Sequence, residues 1–277
     1  MSTRTLVIVK TEASDFSFIP AAWHAHQETD RSAIVEINRS DLERLTPVLE
    51  ANCCDWTLFE KRPRLSDYRL VAMDMDATTI QNETLDEMAT IAGVGREVTL
   101  ITTRAMRGEL DYETALRARV ALFKNFPETL YKDVIRERLK VQPHIERWLE
   151  ALDALSIERM LISGGFIPVV GHFVNTLGFK TGFANTMTVK DGVFTGELEG
   201  DLVDSLYKKT CLEENAARLG IDMKQTIAIG DGANDIPMLK AAGLAIGFHP
   251  KPALIPHADI VLHHTGYETL KLFFATE

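Results

Sequence analysis

Cysteine is scarce: Cys53, Cys54 and Cys211 are all that the 277 residues contain. An adjacent pair and a distant third match no metal-binding spacing, and an odd number fits no closed disulfide framework. The simplest setting is a reducing cytoplasm with free thiols. Basic charge is also short. Lys and Arg number 30 against 40 Asp and Glu, a formal charge of −10, which argues against a nucleic-acid partner and its basic stripe. The acidic surplus reads as a solubility feature. No apolar run approaches the roughly 18 residues of a membrane span, so no membrane role is expected. The start, "MSTRTLVIVKTEASD", has a short apolar stretch cut off by Lys10, and no secretory signal is expected. Internal repeats and low-complexity tracts are missing, and His249, His257, His263 and His264 form no recognisable ligand set. What remains is an ordinary globular chain, 45% hydrophobic and 25% charged, with material for one large domain or two modest ones.

Two kinds of patterning divide it. In the first, "TLVIVK", "SAIVEIN" and "DWTLFE" read as strands and "SDLERLTPVLEAN" as a short amphipathic helix, a small α+β unit over residues 1–62 without a chemical motif. The charged "EKRPRLSD" then reads as a linker. From Tyr68 the pattern becomes short apolar strands separated by helices: "YRLVAMD", "IERMLIS", "QTIAIGD", "GLAIGF" and "DIVLH", the signature of a parallel α/β sheet. Three of these strands are expected to end in Asp74, Ser163 and Asp231, and ligands gather beyond the carboxyl ends of such strands. Between the first two lies a mainly helical segment in which Leu116, Val120 and Phe123 form one stripe. "ANTMTVKDGVFTGELEG" alternates around Asp191-Gly192 and reads as a β-hairpin.

The chemistry is carried by four separated pieces. "MDMDATTI" comes straight off the apolar Leu70-Val71-Ala72 and puts Asp74 and Asp76 at a strand end, followed by Thr78. Carboxylates are costly to bury unpaired, so this placement asks for a charge partner, most simply a metal ion. "SGGF" supplies Ser163, Gly164 and Gly165, "LYKK" a lysine, and "GDGAND" Asp231, Asn234 and Asp235. Each piece alone is weak: an Asp pair at a strand end serves equally in structure or in a simple metal site, and "SGG" is an ordinary turn. Their order on an α/β pattern is far more specific.

Together with "MRGELDYETALRARV" and "FANTMTVKDGVFTG", these pieces closely resemble the haloacid dehalogenase-like phosphatases, and among them the phosphoserine phosphatases. The resemblance runs from Tyr68 to the C-terminus. It implies a Rossmannoid parallel-sheet core (residues 68–83 and 142–277), a helical cap inserted after the first core strand (84–141), and the N-terminal unit as an addition. It also implies Asp74 as the nucleophile, forming an aspartyl-phosphate, and Asp76 as the general acid and base. Mg²⁺ would be held by the Asp74 carboxylate, the Asp76 carbonyl and the Asp231 carboxylate, an oxygen shell that suits it. Ser163 and Gly164 would hold phosphoryl oxygens, with Gly165 permitting close backbone approach. Lys208 rather than Lys209 is implied, because the family's lysine lies 23 residues before the aspartate matching Asp231. Thr78 and Asp235 would support the site, and Asn234 would orient substrate or metal shell.

The resemblance also names a substrate class. Glu83 matches the glutamate that meets a substrate ammonium and Arg119 the arginine that grips a carboxylate, for which the guanidinium fork is well shaped. Tyr112, two helical turns before Arg119, stands where the family usually has phenylalanine shielding the site. Ala77 replaces a usual serine, and His144 a usual glycine. A phosphate site with one anion holder and one cation holder describes O-phospho-L-serine as the small-molecule partner, hydrolysed in the last step of serine biosynthesis. Alternatives are transfer of the phosphoryl group to another alcohol such as homoserine, or hydrolysis of a different small phosphomonoester. A non-catalytic binding protein is disfavoured, since it needs neither nucleophile nor proton carrier. Monomer and homodimer both stay open.

Overall fold

The computed structural model describes residues 4–276. In chain order the elements are β1 (Arg4–Val9), β2 (His26–Gln27), β3 (Ser32–Ile37), α1 (Arg39–Ala51), β4 (Asp55–Phe59), β5 (Leu70–Asp74), α2 (Thr84–Ala92), α3 (Gly95–Met106), α4 (Tyr112–Ala121) and α5 (Leu130–Glu137). There follow α6 (Ile145–Ala154), β6 (Glu158–Phe166), α7 (Ile167–Leu177), β7 (Thr181–Lys190), β8 (Val193–Glu199), α8 (Ser205–Leu219), β9 (Thr226–Gly230), α9 (Ile236–Ala241), β10 (Leu244–Phe248), β11 (Ile260–Leu262) and α10 (Tyr267–Leu270). The chain divides into two compact units, one of Met1–Val71, Pro143–Glu158 and Ala216–Glu277, the other of Ala72–Gln142 and Arg159–Asn215. Met1 to Thr3 of the expected N-terminal unit lie outside the described residues. Among the described residues no helix is long and apolar enough to cross a membrane.

In the first unit β2, β3, β1 and β4 form an antiparallel sheet in that order. Strand alternation puts Leu6 and Ile8 on one face, where Ala33, Val35 and Ile37 of β3 and Leu45 and Leu49 of α1 join them in a buried cluster, the helix contributing residues four apart. At the head of β4 the buried Asp55 carboxylate accepts the backbone N–H groups of His263, His264 and Thr265 and the Thr265 hydroxyl, at 2.8–3.2 Å. Arg62 makes a second tie, pairing both terminal guanidinium nitrogens with Glu28 and donating to the carbonyls of Leu272 and Phe273. Hydrogen bonds to a buried charged acceptor contribute more than neutral ones. Asp55→Ala is therefore expected to lower stability by about 3 kcal/mol, with Asp55→Asn losing less, as read from urea unfolding midpoints.

The same unit holds β11, β10 and β9 as parallel neighbours, with Leu244 opposite Ile227 and Ile246 opposite both Ile229 and Ile260. β9 and β10 are buried throughout, as near-continuous apolar strands of parallel sheets are. Trp148 of α6 stacks on Phe274 with ring centroids 6.0 Å apart, and Tyr68 meets the same ring edge-on. His144, at the start of α6, has φ 59°, the left-handed region where glycine costs nothing and other residues are strained. The His144 ring lies 3.6 Å from Glu146.

In the second unit the strand order is β5, β6, β7, β8. β6 and β7 are parallel, and β7 and β8 form the expected antiparallel hairpin. Asp191 and Gly192 at its tip both have positive φ, as a tight hairpin turn demands. Helices α2 to α5 fill the segment after β5. Leu116, Val120 and Phe123 are all buried, yet α4 stops at Ala121. The N–H groups of Leu122 and Phe123 turn back to Arg119 and Val120, and Asn125, with φ 67°, donates to Phe194. β6 also departs from expectation. It does not end at Ser163 but continues through the glycines to Phe166, which pairs with Asn185 beyond a register shift. The two parallel neighbourhoods and their helices make an α/β fold with a mostly parallel sheet.

Candidate active site

Asp74 is the last residue of a fully buried strand and is itself 4% exposed. Its Oδ1 lies 2.8 Å from Nζ of Lys208, whose side chain is 1% exposed, and accepts the Met75 N–H at 2.7 Å. A buried carboxylate is tolerable only with such compensation. Lys209, one residue on, pairs instead with Glu213 across a turn of α8 at the surface. Beyond Asp74 the chain folds back tightly. The N–H groups of Thr78, Thr79 and Ile80 all go to the Met75 carbonyl, and the Thr79 hydroxyl donates to the Asp74 carbonyl. Ala77 has φ 54°, and Thr78 is fully buried.

This turn brings Asp76 to the start of α2. Its Oδ1 accepts the Thr84 N–H at 2.7 Å and the Thr84 hydroxyl, and its Oδ2 accepts the Ser163 hydroxyl at 2.9 Å. Ser163 Oγ in turn accepts the Gly165 N–H at 2.8 Å. A Cβ on Gly165 would sit 2.9 Å from Ser163 Oγ and 3.3 Å from Asp76 Oδ2, so this glycine is required by close approach. Glu83 is the exposed N-cap residue of α2, next to Thr84.

From α4 the Tyr112 hydroxyl donates to the Val203 carbonyl at 3.0 Å and stands 2.9 Å from where a Cβ on Gly164 would be. Burial pushes the phenol above its usual range, against the opposing pull of a hydrogen bond with Asn185 and of the Lys208 and Arg119 charges. Arg119, half-buried, donates through Nε to Ala115 of its own helix. Its charge also acts on Asp86, where partial burial pushes the carboxyl up, Arg119 pulls it down and Asp76 raises it. The second unit therefore brings together Asp74, Asp76, Ser163, Gly164, Gly165, Lys208 and Tyr112.

Thr78, Glu83 and Arg119 also lie in the second unit, whereas Asp231, Asn234 and Asp235 belong to the first. Asp231 follows β9, and its Oδ2 lies 2.9 Å from Lys251 Nζ. Asp235 Oδ2 accepts the N–H groups of Asp231 and Gly232, and Asn234 between them is exposed. Asp231 and Asp235 are buried carboxylates, as Asp74 is in the second unit. Lys251, Thr84, Thr79, Asp86 and Asn185 escape sequence reasoning, since the partners that give them a part here are set by the fold.

A nucleophile-like carboxylate facing an ammonium, a second carboxylate held by a hydroxyl, and glycine backbone at close approach form a phosphoryl-transfer constellation. Residues 68–243 match the haloacid dehalogenase-like hydrolases. The chain belongs to this family. It is 41% identical over 208 residues to the phosphoserine phosphatase of Haemophilus influenzae, the match covering 75% of this chain and 66% of that protein. It is 39% identical over 216 residues to the phosphoserine phosphatase of Albidiferax ferrireducens, covering 76% and 91%. The solved unliganded structure of a probable phosphoserine phosphatase from Vibrio cholerae superposes with TM-score 0.83 at 29% identity, covering 98% of this chain and 86% of that one.

Proposed function

We propose that this protein hydrolyses O-phospho-L-serine to L-serine and phosphate through an aspartyl-phosphate. The observation that carries the reading is the buried Asp74–Lys208 pair at the end of β5. An Asp74 oxygen attacks phosphorus as the bond to the seryl oxygen breaks, and protonated Asp76 gives its proton to that oxygen. The Asp76 carboxylate then takes a proton from water, whose oxygen attacks phosphorus and releases phosphate from Asp74. Ser163 and Thr84 hold Asp76 in place for both steps. Lys208 offsets charge on Asp74 and the phosphoryl group, while Ser163 and the Gly164 backbone hold phosphoryl oxygens.

Mg²⁺ fits the donors present, which are carboxylate and carbonyl oxygens only, and the buried acids call for positive charge beyond their lysines. Asp74, Asp231 and the Asp76 carbonyl would hold it, with Asp235 and Asn234 supporting. Bound there, it supplies charge that eases attack on an anionic ester. Residues 84–141 serve as the cap, Arg119 gripping the substrate carboxylate, Glu83 its ammonium and Tyr112 shielding the site. Residues 68–83 and 142–277 serve as the core, with 1–62 as a stabilising addition. Free thiols at Cys53, Cys54 and Cys211 support a cytoplasmic location. Burial pushes Cys54 up to about 11 and Cys211 up to about 12, so these two stay protonated and inert.

The test is phosphate release from O-phospho-L-serine with and without Mg²⁺, beside phosphothreonine, sugar phosphates and a homoserine arm that reports phosphoryl transfer. Mg²⁺-dependent preference for O-phospho-L-serine is expected. Preference for another ester would overturn the roles of Glu83 and Arg119, and silence across the panel would overturn hydrolysis itself.

A further inference from the structure

Asn185 in the middle of β7 is 1% exposed, and both ends of its amide are engaged. Nδ2 donates to the Gly164 carbonyl at 2.8 Å, and Oδ1 accepts the Val203 N–H at 2.8 Å. Neither partner is a regular neighbour in the sheet ladder, so this side chain does work that the strands do not.

The first bond fixes a peptide plane. The Gly164 carbonyl and the Gly165 N–H belong to the same rigid unit, so anchoring the carbonyl aims the N–H. That N–H donates to Ser163 Oγ, and Ser163 donates to Asp76 Oδ2. Two glycines in succession have wide conformational freedom, and here an external amide removes it. The second bond fixes the stretch leading into α8. Val203 is followed by Asp204, whose carbonyl accepts the Lys208 N–H and whose carboxylate accepts the Tyr207 N–H. This first turn of α8 sets the direction in which Lys208 reaches Asp74. The Tyr112 hydroxyl closes on the same Val203 peptide from the carbonyl side.

We infer that Asn185 is a positioning residue for the reaction, holding Asp76 through Gly164, Gly165 and Ser163, and Lys208 through Val203 and the start of α8. The inference rests on the roles proposed above for Asp76 and Lys208. Asn185 acts through the Gly164 and Val203 backbone, and its side chain also meets the Tyr112 hydroxyl. It couples two catalytic groups through one side chain, so its loss should misplace both while leaving Glu83 and Arg119 where they are.

Two variants separate the halves. Asn185→Ala removes both bonds. Asn185→Asp keeps the shape and the acceptor for Val203, but sets an oxygen against the Gly164 carbonyl. In Mg²⁺-loaded full-length protein, Asn185→Ala should lower kcat on the order of 10²-fold, the loss that follows from a displacement of about 1 Å, with KM changed by less than about threefold. Asn185→Asp should lose kcat too, by less, because it keeps the acceptor for the Val203 N–H, and its KM should again change by less than about threefold. Inorganic phosphate, titrated by calorimetry, should bind both variants within the same threefold of wild type, so that the loss is read in kcat alone whichever ester is the substrate. If wild-type protein ignores O-phospho-L-serine, the functional reading fails, while p-nitrophenyl phosphate and the phosphate titration still decide this one. Unchanged kcat per folded molecule in both variants, or a loss of KM and phosphate affinity as large as the loss of kcat, would overturn the inference. Failure of both variants to fold would overturn it as well, leaving Asn185 a residue of the fold alone.

Discussion

Asp74→Asn should reduce phosphate release to background, a loss on the order of 10⁴-fold or more, while leaving the fold in place. The amide has the shape of the carboxylate and keeps an oxygen for the Met75 N–H and the Lys208 ammonium, so local hydrogen bonding survives. What disappears is the charged oxygen able to form a bond to phosphorus. In the wild type, rapid quenching with O-phospho-L-serine should trap protein carrying one phosphoryl group by intact mass, and the variant should never acquire it. Because the variant keeps Asp76, Ser163 and the glycine backbone, it should still bind inorganic phosphate. Residual turnover within tenfold of wild type would mean that another group attacks, and the whole order of steps would have to be redrawn.

The parts of this site that a reader of the sequence could find are those whose partners lie within a few residues. Leu70-Val71-Ala72 running into Asp74 is legible because an apolar strand ending in acid is a local pattern, and the Asp191-Gly192 turn is legible because its backbone conformation selects those residue types. The family resemblance adds Lys208 over Lys209 through a spacing that local propensity does not contain. Other features depend on distant partners. Ser163-Gly164-Gly165 looks like a turn because glycines break strands, yet β6 continues because the side chains of Ser163, within the strand, and Asn185, outside it, satisfy the irregular backbone. Asn185 looks like any strand polar residue, and its partners are 21 and 18 residues away. Asp55 looks like a strand start, and what it holds lies 208 to 210 residues on. The left-handed backbone at Ala77 and His144 is equally silent, since neither residue type announces a positive φ.

The second large effect is expected at Lys208, and it tests energetics and chemistry together. Lys208→Met keeps an unbranched stem in the same space but leaves the Asp74 carboxylate buried without the ammonium now 2.8 Å away. Breaking a buried pair by removing one partner costs about 3–5 kcal/mol, so the variant should unfold at markedly lower urea in EDTA. Adding Mg²⁺ should return part of that loss, because an ion that binds only the folded state stabilises it by mass action. Turnover should fall on the order of 10³-fold, the loss of a fixed positive charge facing the transferring group. The double variant Asp74→Asn with Lys208→Met removes both charges, and its stability should rise above that of Lys208→Met alone, a coupling that only directly interacting groups give. Its activity should not fall below that of Asp74→Asn, since residues acting as one unit do not add. If Lys208→Met matched wild type in EDTA and kept turnover within tenfold, the ammonium would be a bystander to Asp74, and charge compensation at the nucleophile would have to come from the metal alone.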